Sequence, residues 1–199
     1  MGKHRFTIDP KTDAQVRKAI EVLEQGGIIL YPTDTIWGIG CDATNEEAVA
    51  KVFSIKQREE SKSLVTLVSD IDMLCRYVRT VPDAAIELIE VNDAPMTIVY
   101  PEAVGLAQNV VAEDGSVGIR IPNNEFCRQL TFRLGGPIVS TSANISGETA
   151  PKGFKDISDQ IKEAVDYIVS PSMEEKDSTH KSSQIIKVGL KGEIKIIRG

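Results

Sequence analysis

The stretch PIVSTSANISG, residues 137–147, decides how the rest of the chain is read. Ile138 and Val139 form a short apolar run suited to a buried strand, and the run breaks into Ser140, Thr141, Ser142, Ala143 and Asn144 without a bulky side chain. In α/β proteins ligands sit beyond the carboxyl ends of strands, where short polar residues and backbone N–H groups can wrap an anion such as phosphate. The same letters also fit an ordinary polar turn between strand and helix, so the neighbouring segments have to decide.

Upstream, Asn123 or Asn124 caps a helix bearing Phe126, Leu130 and Leu134, which Gly135 and Gly136 end just before the strand. The same order of helix, glycine pair and strand occurs earlier. Thr12 with Gln15 reads as a capping box, Val16, Ile20 and Leu23 share a helical face, and Gly26 and Gly27 stop it before a buried strand at residues 27–31. That strand runs into Pro32, Thr33, Asp34 and Thr35, followed by Ile36, Trp37, Gly38, Ile39 and Gly40, whose glycines point to close backbone approach. A second capping box, Thr44 to Glu47, opens a helix with Val49, Val52 and Phe53 as its inner face. Lys56, Arg58 and Lys62 cluster at its exit, interleaved with Glu59 and Glu60, before a strand at 64–68. Taken alone these cations fit a solvated helix end that complements the dipole; beside a phosphate site they would neutralise it.

Ser69 or Asp70 caps a helix with Met73, Leu74 and Val78, and Pro82 opens the next, with Ile86 and Ile89 inward. Strands are expected at 96–100 and 116–121, the second carrying Arg120 among apolar residues. Such an arginine either pairs with a protein carboxylate or offers its fork to a ligand carboxylate. A helix near 158–165 leads to a strand at 167–169, and residues 171–181, rich in charge and hydroxyls, read as a mobile flap. The final residues read as a hairpin turning at 189–192, which brings Ser183 beside Arg198.

Composition bounds the chemistry. With 199 residues, 41% of them hydrophobic, the chain is long enough for one soluble domain, 1–199, with a real core. No apolar run suits a membrane span and the start, MGKHRFTIDP, lacks a secretory core, so no membrane association and a cytoplasmic location are expected. Cys41, Cys75 and Cys127 form no CxxC pair, and only His4 and His180 are present. A zinc knuckle, a histidine metal site or a histidine-based triad has little to be built from, so no protein-held metal is expected. The net charge of -6 opposes tight nonspecific nucleic-acid binding.

Five motifs, in order, resemble those of the YrdC/Sua5 family of short threonylcarbamoyl-AMP synthases: YPTDTIWGIGCDA from Tyr31, KQR from Lys56 with Lys62 following, GIRIP from Gly118, STSANISG from Ser140, and the final Arg198. The resemblance implies an α/β fold with a twisted, mixed open sheet flanked by helices around a large cavity. It implies an enzyme that joins L-threonine, bicarbonate or CO2, and ATP to give threonylcarbamoyl-AMP and pyrophosphate for the t6A modification of tRNA. Carried over by position, ATP contacts fall on Arg58, Lys62, Ser116, Ser142, Ala150 and Arg198, with Asn144 in the same loop, and threonine contacts on Thr35, Leu67, Arg120, Ser140 and Ser183. Lys56 and Arg58 are the expected catalytic cations, with Mg2+ entering as the companion of ATP. Partners implied are the t6A transferase machinery and tRNA or double-stranded RNA. The alternatives left open are a noncatalytic RNA-binding module and a divergent nucleotide-binding paralogue. Three positions depart from the family pattern: Glu59 stands for a proline, Trp37 for a tyrosine, and Asp93 to Thr97 for PGPxT.

Overall fold

The computed structural model describes residues 8–58 and 64–199. In chain order the elements are α1 (Pro10–Glu24), β1 (Ile29–Tyr31), β2 (Gly38–Gly40), α2 (Glu46–Lys56), β3 (Val65–Leu67), α3 (Ile71–Tyr77), α4 (Asp83–Val91), β4 (Met96–Tyr100) and β5 (Val117–Arg120). They continue with α5 (Glu125–Leu134), β6 (Ile138–Ser142), α6 (Asp159–Ala164), β7 (Tyr167–Ile168), β8 (Gln184–Val188) and β9 (Ile194–Arg198). The strands form one mixed sheet in the order β7-β1-β2-β6-β3-β5-β4-β8-β9. Its parallel pairs are β1 with β7, β3 with β5 and β4 with β8. The expected twisted α/β sheet with flanking helices is what the chain forms.

Directly opposed residues of paired strands lie on the same sheet face, so the register sorts the side chains into two layers. Leu30, Ile39, Val139, Ile119, Ile98 and Ile186 share the first face, where Val49, Val52 and Phe53 of α2, Met73 and Leu74 of α3, Ala85 of α4 and Ile161 of α6 complete the larger core. On the other face Ile29, Tyr31, Leu67 and Ile138 pack beneath Val16, Ala19 and Leu23 of α1 and Phe126, Cys127 and Leu130 of α5. That second cover is narrower than the sheet. Beyond Val65 at its rim the same face continues as Gly38, Ser142 and Ser140 on one side and Gly118 and Val99 on the other.

Local chemistry explains most helix limits, with two corrections to the sequence reading. Asp9, not Thr12, caps α1, its carboxylate accepting from the N–H groups of Lys11 and Thr12. Gln15 instead accepts from the Tyr167 hydroxyl and the Ser170 N–H, both at 2.8 Å, fastening the far edge of the sheet. Asn45, not Thr44, caps α2 through the N–H of Ala48, because Asp42 already holds the Thr44 N–H and hydroxyl. Asp70 and Asn124 cap α3 and α5 as expected. Both glycine pairs open with φ of +72°, which lets the chain leave α1 and α5 and enter the next strand. The organising strand is longer than its apolar letters: Ser140, Thr141 and Ser142 remain in β6, because β3 pairs with Ser140 on one side and β2 with Thr141 and Ser142 on the other.

Gly40 shows why the glycine of β2 cannot be a larger residue. A Cβ there would lie 2.3 Å from the Val139 carbonyl oxygen and 2.8 Å from the Tyr31 ring. Tyr31 crosses the glycine to donate to that same carbonyl at 3.2 Å. Gly40→Ala is therefore expected to lower the unfolding free energy by about 1–3 kcal/mol through overpacking. Gly153→Ala, where the added Cβ meets nothing nearer than 3.8 Å, should change it by less than about 0.5 kcal/mol; urea unfolding of the two variants checks the contrast.

Candidate active site

The uncovered part of the second sheet face is where the polar residues gather. A cavity of about 180 Å³ is lined by Thr33, Thr35 and Gly38, by Ser140 and Ser142 of β6, by Arg58, Arg120 and Arg198, and by Ser182 and Ser183. It shares Leu64, Val65 and Ile185 with a larger cavity of about 580 Å³ that continues over Thr97, Val99, Gly118, Ser116, Asp114 and Lys187. Period-two alternation explains the row: Ser140 and Ser142 face the cavity while Val139 enters the core behind. Gly118, opposite both Val65 and Val99, keeps the floor of the larger cavity low.

Several polar groups at the smaller cavity are held by others. Arg120, 4% exposed, donates through Nη1 to Asp34 at 2.6 Å. Asp34 also accepts from the Asn123 N–H at 3.0 Å. Arg120 thus takes the first of its two sequence readings, pairing with a protein carboxylate, and it also borders the cavity. A guanidinium carries five N–H donors, so one bond to Asp34 leaves donors for a ligand carboxylate. Ser183 shares a 2.8 Å hydrogen bond with Thr97, and its carbonyl accepts from Arg198 Nε and Nη2 at 3.1 and 2.8 Å. The hairpin of β8 and β9 produces that contact, as its turn chemistry predicts. Arg58 follows Gln57, whose φ of +50° ends α2 and redirects the chain toward the cavity. Burial, which disfavours the charged form, draws the pKa values of Arg58 and Arg198 downward.

Residues 171–181, expected as a flap, are fastened to the cavity wall. The Ser178 hydroxyl donates to the Thr35 carbonyl at 2.8 Å, and the Thr179 N–H donates to the Asp34 carbonyl at 3.0 Å. The segment acts as a strap over residues 33–35.

The sequence profile of the Sua5/YciO/YrdC family, described as "Telomere recombination", matches residues 21–199. This chain belongs to that family. A threonylcarbamoyl-AMP synthase of Vibrio vulnificus is 29% identical over 175 residues, covering 86% of this chain and 92% of the relative. One from Idiomarina loihiensis is 32% identical over 149 residues, 73% of this chain and 80% of the relative. Among solved structures, P. abyssi Sua5 complexed with L-threonine superposes with a TM-score of 0.80 at 24% identity, over 87% of this chain and 50% of that one, which establishes the shared fold.

The positions taken over from the Sua5/YciO/YrdC motifs divide in three. Thr35, Arg58, Arg120, Ser140, Ser142, Ser183 and Arg198 line the smaller cavity, and Ser116 lines the larger one. Ser116 is oriented by Asp114; the Lys187 ammonium at 2.6 Å and then the Ser116 hydroxyl at 2.5 Å, both donating to that carboxylate, hold its pKa down to about 2. Leu67 and Ala150 line neither cavity: the Leu67 side chain is fully buried beneath α1 and α5. Lys62 lies outside the described residues. Asn144 bonds inward, donating to the carbonyls of Ile145 and Glu148 at 2.9 Å, and so shapes its own loop.

Lys56 also has a different placement from the one its sequence context implies. It is 2% exposed, is absent from the lining of both cavities, and donates to the carbonyls of Ser142 at 2.5 Å and Asn144 at 2.6 Å. Its own carbonyl accepts the Ser146 N–H at 2.8 Å, so one residue closes the loop from both ends. Burial, and secondarily the Arg58 charge, pull its ammonium down to about 8. Sequence reading named neither Thr97 nor Asp34 as a site residue; their signal was the bracketing of Ser183 and Arg120, which lies in the tertiary pairing. Lys56→Met, which removes the donors but keeps the volume, is expected to lower stability by about 1–3 kcal/mol because the Asn144 carbonyl loses the ammonium and the Ser142 carbonyl keeps only the Asn144 N–H. Lys51→Met, at a single exposed-side bond to the Gly26 carbonyl, should cost less; paired denaturation curves decide.

Proposed function

We propose that this chain is an L-threonylcarbamoyladenylate synthase, a nucleotidyltransferase that condenses L-threonine, CO2 or bicarbonate, and ATP, releasing pyrophosphate. The observation that carries this reading is the gathering of three arginines and the Thr35, Ser140, Ser142 and Ser183 hydroxyls around one small cavity that shares a wall with a larger one. The names of the two synthase relatives support it.

The volumes fit a division of labour. About 180 Å³ suits a small polar amino acid, and the adjoining 580 Å³, floored by Val65, Val99 and Ile185 with Ser116 at its side, suits a nucleoside. Arg120 grips the threonine carboxylate with the N–H donors that Asp34 does not use. The amine attacks CO2, loses a proton and becomes a carbamate, whose oxygen then attacks the α-phosphorus of ATP while the bond to pyrophosphate breaks. Negative charge builds on the transferring and leaving phosphates. Arg58 and Arg198, with Lys62, stabilise it, and Mg2+ enters with ATP as part of the substrate. Lys56 acts one step back by shaping the Ser142–Asn144 loop. Catalysis by orientation and charge compensation needs no histidine.

The test is pyrophosphate release and product mass with ATP, Mg2+, bicarbonate and L-threonine, each omitted in turn. Release that requires both threonine and bicarbonate is the expected outcome; ATP binding without release would favour a divergent nucleotide-binding paralogue. Arg58→Ala should abolish release without unfolding the chain. Arg120→Lys, which keeps a cation for Asp34 but loses the planar fork, should raise the KM for threonine about tenfold or more and leave that for ATP nearly unchanged.

A further inference from the structure

Thr33 and Thr35 line the smaller cavity, 2% and 3% exposed, with their hydroxyl oxygens 2.9 Å apart. Distance alone leaves the direction of that hydrogen bond open, but the surrounding groups fix it. The Thr33 oxygen lies 2.8 Å from the Ile36 carbonyl, which can only accept, so the single Thr33 proton belongs there. The same oxygen accepts the Thr35 N–H at 3.0 Å. Its remaining lone pair faces Thr35, and the Thr35 hydroxyl must donate to it. Reversing the bond would leave the Ile36 carbonyl without the Thr33 donor. The Ser178 hydroxyl, bonded to the Thr35 carbonyl at 2.8 Å, holds the backbone in this arrangement.

Thr35 lines the cavity, and with its proton committed to Thr33 its hydroxyl has only lone pairs left to offer a ligand there. Its surroundings are rich in donors, since Arg58, Arg120 and Arg198 all line the same space and none of them can accept. Of the polar groups on an amino acid, the carboxylate is drawn to guanidinium forks, whereas an N–H requires an acceptor. The three cations also favour an uncharged amine over an ammonium.

We propose that Thr33 is a positioning residue that locks the Thr35 hydroxyl as an acceptor for the substrate's amino N–H. One N–H bonded to Thr35 leaves the nitrogen lone pair free to attack CO2. This inference rests on the reading of the smaller cavity as the threonine site, and it goes further by assigning which atom of the substrate meets Thr35 and which neighbour sets that preference.

The experiment is calorimetric titration of the full chain with L-threonine, and in competition with 3-hydroxybutanoate, which lacks the amine. The wild-type titration comes first, because a wild type that does not bind threonine overturns the synthase reading itself and this inference with it. Thr33→Val, close in shape but without the hydroxyl, should bind threonine about tenfold more weakly, the loss of one hydrogen bond, and bind 3-hydroxybutanoate as the wild type does. Thr33→Ser should restore threonine binding. Thr35→Val should show a loss of similar size, and the double variant should be no weaker than Thr35→Val, because Thr33 acts only through Thr35. Losses that multiply in the double variant, equal weakening of both ligands, or wild-type threonine binding in Thr33→Val would each overturn the assignment while leaving the synthase reading standing. Should Thr33→Val fail to fold, Thr33→Ala removes the same hydroxyl and reads the same cycle.

Discussion

Two helices cover one face of the sheet, and they cover only part of it. α1 and α5 bury Ile29, Tyr31, Leu67 and Ile138, and beyond them the face mixes Val65, Val99 and Ile185 with the polar residues that line the two cavities. Past that edge any side chain meets water or a ligand, so the same strands that supply core residues supply Ser140, Ser142, Arg120 and Thr97 a residue or two later. Core and site lie on one continuous surface, and the larger core behind the sheet keeps that surface rigid. Packing on the first face is what allows the second to remain partly open.

A site built this way needs its loops held by something other than an apolar cover. Buried charge does that here. Asp34 joins Arg120 to the N–H of Asn123, and Lys56 draws together the carbonyls of Ser142 and Asn144. Well-packed apolar residues could stabilise a fold as much as a buried ion pair. They could not direct a carbonyl or a guanidinium. The desolvation cost of these groups, reflected in the pKa of the Lys56 ammonium being drawn down by burial, is tolerated because residues 33–35 and 143–147 lie outside the strand ladders and would otherwise have several geometries.

This division also accounts for what the sequence made legible. Helices and strands with strong periodicity were readable: the inner face of α2, the strand at Met96–Tyr100, both glycine stops and the terminal hairpin depend on neighbours a few residues away. Cap assignments differ at Thr12 and Thr44 because Asp9 and Asp42 accept the threonines' own N–H groups while Asp9 and Asn45 cap the helices, a choice that letters alone do not rank. Residues of the candidate site were legible as motifs, but their orientation was not. Whether Lys56 enters the cavity or turns under the loop depends on carbonyls 86 and 88 residues further along the chain. The polar segment at 171–181 reads as mobile by composition, and its serine and threonine instead serve as fasteners to Asp34 and Thr35.

Residues 33–35 carry the furthest consequence of these long-range contacts. Three consecutive side chains are committed, Thr33 to Ile36 and Thr35, Asp34 to Arg120 and Asn123, while the strap at Ser178 and Thr179 fixes their carbonyls. A small polar ligand offers little apolar area, so its affinity depends on groups that need no reordering when it arrives. Every rotamer already fixed by an internal hydrogen bond is one whose entropy is not lost on binding. The cost of ordering is met during folding, by the core behind the sheet. Selectivity then follows from direction: an oxygen that can only accept, beside arginines that can only donate, distinguishes the two ends of an amino acid before any shape is read.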